Sequence, residues 1–109
     1  MLLVYADETA LTEEERQDCY KESMELAHDI AATGNFIDCA PLHPTPSATS
    51  VRVRNGKRLV TDGPFAETRE QLGGYYLVDA PDLDKAIAIA ERIPPARWGT
   101  IEVRPVIEL

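Results

Sequence analysis

Leu2-Leu3-Val4-Tyr5-Ala6 has no polar residue to give a strand a wet side, so a strand built from it must be covered on both faces. Tyr75-Tyr76-Leu77-Val78, opened by Gly73-Gly74, makes the same demand. Two helices supply cover from within the chain. Thr12 and Glu15 have the spacing of a capping box and start the first. Its apolar stripe is Tyr20, Met24, Ala27 and Ala31, joined by Cys19, Leu26 and Ile30, and Gly34 supplies its stop. The second helix has Asp82 as N-cap, a stripe of Leu83, Ala86, Ile87, Ala90 and Ile93, and Pro94-Pro95 as terminator.

Phe36 to Ala40 reads as another strand, followed by a loop held extended by Pro41, Pro44 and Pro46. Asn55-Gly56 then joins Val51–Arg54 to Lys57–Val60, and this dipeptide suits the positive φ angles of a type I′ hairpin turn. That register sets Val51 opposite Val60 and Arg54 opposite Lys57, with the tip in solvent. Asp62-Gly63-Pro64-Phe65 ends the hairpin. Ala66 to Leu72 is read as irregular or briefly helical, and a last strand as running from Thr100 to Ile107.

The order is strand–helix–strand, hairpin, strand–helix–strand. It predicts an α+β, ferredoxin-like antiparallel sheet with both helices on one face and a hairpin inserted between the halves. Pro105 suits only an edge strand, which is where the last strand of that topology lies. Two helices leave the second sheet face bare, so the pattern predicts a homodimer through sheet faces. Ile101, Val103, Pro105 and Ile107 would then meet the helices, while Glu102 and Arg104 would point into a polar cleft between the sheets.

The 109 residues suit one domain, 1–109. They include 11 bases and 19 acids, and nine of those acids lie between Asp7 and Asp29 with only two bases. The acidic block fits the wet side of the first helix, and a charge of −8 argues against capture of nucleic acid or anionic membrane. The longest apolar run, Met1 to Ala6, is too short to cross a bilayer and lacks the flanks of a secretion signal, so a cytoplasmic location is expected. Cys19 and Cys39 form neither a zinc spacing nor a disulfide framework. With no HExxH, GxSxG or dinucleotide fingerprint, no metal or cofactor is expected.

Asp62-Gly63-Pro64-Phe65, followed by Ala66-Glu67-Thr68, Glu70 and Leu72-Gly73-Gly74-Tyr75, resembles the signature of the DGPF branch of the YCII-related proteins. Asp82-Leu83-Asp84-Lys85-Ala86, Ile93-Pro94 and Glu102-Val103-Arg104-Pro105 extend the likeness over nearly the whole chain. The resemblance implies a bacterial protein with a dimeric α/β barrel. It belongs to a superfamily whose members often hold small molecules between sheet and helices and include several enzymes. Some genes of the branch accompany extracytoplasmic-function sigma factors.

Asp62 is the sharpest candidate for chemistry. Asp-Gly-Pro is strong turn chemistry in its own right, with the carboxylate accepting local backbone hydrogen bonds. An aspartate at a strand end facing an enclosed cleft would instead serve as a general base. Glu67 or His43 would be its partner, because paired groups can divide acid and base roles. Arg104 either pairs with Glu102 or clamps a substrate carboxylate. Tyr75 is the tyrosine expected in the cleft, and Phe65 either anchors the turn or contacts substrate. His28, within the acidic helix, reads as a surface residue. Two functions follow. One is a small-molecule acid–base lyase or isomerase. The other is a non-catalytic regulatory or interaction domain that binds a protein such as a sigma factor through the acidic helix.

Overall fold

The computed structural model describes all 109 residues. Strand β1 (Leu2–Ala6) leads into helix α1 (Glu13–Ala32) and strand β2 (Phe36–Pro41). The hairpin β3 (Thr49–Arg54) and β4 (Lys57–Asp62) follows, then β5 (Gln71–Val78), helix α2 (Leu83–Ala90) and β6 (Thr100–Val103). The main sheet has the order β2-β5-β1-β6, with every neighbouring pair antiparallel. Two helices on one face of that sheet make the α+β, ferredoxin-like arrangement that the element order predicts.

Alternation in β1 sends Leu2 and Val4 into the helix layer, where they join Tyr76 of β5, Leu26, Ala27 and Ile30 of α1, and Ile89, Ala90 and Ile93 from the α2 segment. Tyr76 buries its ring and satisfies its hydroxyl by donating to the Ser23 carbonyl at 2.8 Å. Burial pushes its pKa up to about 12, so the phenol stays neutral. Leu3, Tyr75, Leu77 and Glu102 lie on the other face, which no element of the chain covers.

Both helices start as the sequence predicts. Thr12 Oγ1 accepts from the Glu15 amide at 3.1 Å and Glu15 returns a bond to the Thr12 amide at 3.0 Å, while Asp82 accepts from the Lys85 amide at 2.8 Å. Their buried stripes are narrower or turned relative to the sequence reading. In α1, Met24 and Ala31 are exposed and only Leu26, Ala27 and Ile30 are fully buried. In α2, Leu83 and Ile87 face solvent while Ala86, Ile89 and Ala90 pack inward. The alanines let this short helix lie close to the sheet, which moves the contact line round to Ile89.

Strand β6 is an edge strand, as Pro105 requires, but it ends at Val103 rather than Ile107. The Arg104 amide donates to the Met1 carbonyl at 2.9 Å and the Met1 amino group donates back to the Arg104 carbonyl at 2.6 Å, and this pair is the last rung of the β1–β6 ladder. Ile107 is consequently exposed rather than packed on the helices. Strand β5 starts at Gln71, so the end of the segment read as irregular is already extended.

The hairpin keeps the predicted register, Val51 opposite Val60 and Arg54 opposite Lys57, with φ of 53° at Asn55 and 74° at Gly56. It forms a two-stranded sheet of its own. The molecule spans 47 × 40 × 19 Å with a radius of gyration of 15.7 Å. A compact chain of this length would have about 13 Å. One helix layer on one sheet face makes the body thin, and the ribbon makes it long.

The wet side of α1 carries two ion pairs to the segment after α2. Glu22 holds Arg97 through two bonds of 2.8 Å, and Asp29 meets Arg92 at 3.0 Å. Arg97 draws the Glu22 carboxyl below its ordinary value of 4.5, so the pair's contribution is complete above that pH and is lost as the pH falls below it. Glu14 has no such partner. Glu14→Gln should leave stability within about 0.5 kcal/mol of wild type. Glu22→Gln should cost more at neutral pH and nothing once Glu22 is protonated, which denaturant titration at the two pH values will read.

Candidate functional site

Asp62 closes β4 opposite Thr49 at the base of the hairpin. The turn beyond it is held by its neighbours. Gly63 adopts φ of 95°, its amide donates to the Ala48 carbonyl at 2.7 Å, and its carbonyl accepts from Ser50 Oγ at 2.8 Å. The Asp62 carboxylate accepts none of the side-chain hydrogen bonds in the chain, so the local bonds expected of an aspartate turn are not what shapes this one. Asp62 and Glu67 line the same hollow, with Thr45, Thr68 and Gln71 around them. Both carboxylates are exposed and the hollow is open; within one chain they do not face an enclosed cleft.

Gln71 links this hollow to a second one. Its Nε2 donates to the Thr68 carbonyl, and its Oε1 accepts from the Glu8 amide at 3.0 Å. The Glu8 carboxylate in turn binds the Thr45 amide at 3.0 Å and the Thr45 hydroxyl, while Arg16 donates to the Glu8 carbonyl at 3.0 Å. His43 stands in this second space with Asp7, Glu8, Arg16, Leu42 and Trp98. The space, about 110 Å³, continues under α1 into another of about 110 Å³ that reaches Met24, Cys39 and Tyr76. Val4, Cys19, Tyr20, Gly73 and Pro95 line both, so they form one cleft with a polar mouth and an apolar floor.

Sequence reasoning missed Glu8, Arg16, Gln71 and Trp98 at that mouth. Glu8 and Arg16 were absorbed into the acidic block. The signal for Glu8 was its place ahead of the Thr12 cap, in the loop that leaves the end of β1. Burial pushes the thiols of both Cys19 and Cys39 up from their ordinary value, which disfavours the thiolate form.

Arg104 and Tyr75 lie elsewhere. Arg104 Nε stands 2.8 Å from Glu102 Oε1, an ion pair on the uncovered face at the start of β1. Asp62, Glu67 and His43 cluster toward the other end of β1, about 15 Å away along a five-residue strand. Tyr75 is the tyrosine of the uncovered face, and its hydroxyl donates to Asp38 Oδ2 at 2.7 Å, which raises its pKa. Phe65 is 79% exposed and lines an open hollow with Ser50, Val51, Arg52 and Arg54 of the hairpin. No group of three His, Cys, Asp or Glu side chains is placed to hold a metal ion. His28 is on the exposed side of α1.

The strand order and one-sided helix layer define a ferredoxin-like domain with a polar-mouthed cleft beside the hairpin base. Residues 1–109 match the YCII-related domain, and the chain belongs to that family. It is 36% identical over 110 residues to "Uncharacterized protein R00369" of Rhizobium meliloti (strain 1021), an alignment covering 96% of this chain and 89% of that protein. No helix is long and apolar enough to cross a membrane.

Proposed function

We propose that this YCII-related domain, of the DGPF branch, is a cytoplasmic bacterial protein that binds a small carboxylated molecule and moves a proton on it, as a lyase or isomerase does. The observation that carries the reading is the Asp62 carboxylate, which accepts no hydrogen bond from its turn and shares a hollow with Glu67. An aspartate left unspent by local structure is free to take a proton, with Glu67 or, across Gln71, His43 as its partner. Arg104 clamps a substrate carboxylate in this scheme only from a second copy, because in its own chain it stands at the other end of β1.

The second copy is part of the proposal. Leu3, Tyr75 and Leu77 lie on a sheet face with no cover, and two such faces packed together would enclose the Glu102–Arg104 pair. The contact should bury more than about 1,000 Å². Sedimentation at micromolar concentration should give a dimer, and a monodisperse monomer would sink this part of the scheme. The alternative, a regulatory domain that meets a sigma factor or similar protein, draws support from the exposed acids of α1.

Screening metabolite carboxylates for thermal stabilisation, followed by calorimetry across pH, tests the site. Wild type should bind with a pH dependence that Asp62→Asn and Glu67→Gln each alter. The same affinity and pH dependence in wild type, both single variants and the double variant would remove Asp62 and Glu67 from recognition.

A further inference from the structure

The β3–β4 ribbon is the part of the fold least accounted for by its own chain. Its strands pair only with each other, and every residue from 51 to 62 is exposed. Val51 and Val53 are each 62% exposed and Val60 56%, all on one side of the ribbon, with Arg58 beside them opposite Val53. A solitary two-stranded hairpin is marginal in water and gains order from packing on something else.

Charge says what that something is. Residues 49–62 hold four of the eleven bases and one of the nineteen acids, so the ribbon carries +3 and the remaining ninety-five residues −11. Arg52, Arg54, Lys57 and Arg58 form no ion pair within the chain. On α1, Glu14, Asp18 and Glu25 are likewise unpaired, and their spacing places them along one exposed row that also includes Lys21. The ribbon's own body is the acidic surface it matches, yet β3 and β4 pair with no strand of that body. Nucleic acid is a poor fit, because the field of the whole chain repels it.

We propose that the hairpin is an arm that docks on the acidic face of α1 of a second copy. The valine side lies against that helix. Arg58 meets its carboxylates directly, and Arg52 and Arg54 reach round the ribbon's edges on their long stems. The contact is separate from the sheet-face pairing and does not require it.

The test uses the full chain with a photoreactive benzoylphenylalanine in place of Val53, mixed with an isotopically heavy copy. The expected result is a crosslink from residue 53 to the heavy peptide spanning Glu13–Ala32, lost at high salt. Reversing Arg52, Arg54 and Arg58 to Glu should lower its yield about tenfold, the combined effect of several modest surface pairs. Reversing Glu14, Asp18 and Glu25 to Lys in the partner should restore it. Crosslinks confined to one chain, crosslinks to another peptide, or a yield indifferent to charge would overturn the arm. Sedimentation of the arm-reversed protein separates the two contacts: a persisting dimer with the crosslink gone leaves the sheet-face pairing standing, and a wild-type monomer that still crosslinks on crowding removes only that pairing.

Discussion

Gly99→Ala should destabilise the protein by about 3 kcal/mol, far more than a methyl group usually costs. A Cβ at this position would stand 2.2 Å from the Tyr5 carbonyl oxygen and 2.9 Å from the Ala6 Cβ. Neither can step aside. Tyr5 is in the central strand, paired with Leu72 on one side and Thr100 on the other, and Gly99 is itself held by a 2.7 Å bond from its amide to the Pro95 carbonyl. Relief would have to come from shifting β6 off the sheet edge. Gly73→Ala is the control, because nothing lies within 4 Å of a Cβ there. Chemical denaturation should show a large drop in midpoint for Gly99→Ala and little change for Gly73→Ala. Equal midpoints would mean that the chain enters β6 by another path.

Asp62→Asn should separate function from fold more sharply than any other change in the molecule. The carboxylate contributes no hydrogen bond to its turn, and Gly63 keeps the left-handed φ, so the fold should survive with its midpoint nearly unchanged. An amide cannot accept the proton, and losing a general base typically costs about 10²- to 10⁴-fold in turnover. Glu67→Gln should also slow the reaction. If the two carboxylates act as a pair, the double variant should lose less than the product of the single losses. A fold that collapses in Asp62→Asn would instead return this residue to a structural role.

The reach of the sequence in this protein follows the reach of its local signals. The capping box at Thr12, the Asp82 cap and the Asn55-Gly56 turn are each set within three or four residues, and each stands where the pattern places it. The sheet order was legible too, because the two half-motifs admit few ways of pairing. Packing lines were less legible. Which side of α2 is buried depends on how closely Ala86 and Ala90 let it approach the sheet, a property of the neighbour as much as of the helix. The end of β6 depends on its partner: the ladder to β1 stops at the Met1–Arg104 pair, which periodicity within 100–107 does not reveal.

The site shows the same division. Asp62 and Glu67 were brought together by sequence proximity across one turn, so their shared hollow was foreseeable. The mouth of the α1 cleft draws on Glu8, Arg16, His43, Gln71 and Trp98, from five separate parts of the chain. The pairing of β1 with β5 and with β6, together with the bonds that join Glu8 to Gln71, Thr45 and Arg16, brings these parts near each other.

Proton NMR of a bound carboxylate in heavy water tests the central proposal most directly, because it watches the proton itself. With a molecule chosen by thermal stabilisation, wild type should wash out the signal of a hydrogen next to the carboxylate as deuterium replaces it. Glu14→Gln should do so at the same rate, and Asp62→Asn should leave the signal intact while still binding. Equal exchange by wild type and Asp62→Asn, or no exchange by a wild-type protein saturated with ligand, would contradict proton transfer by Asp62.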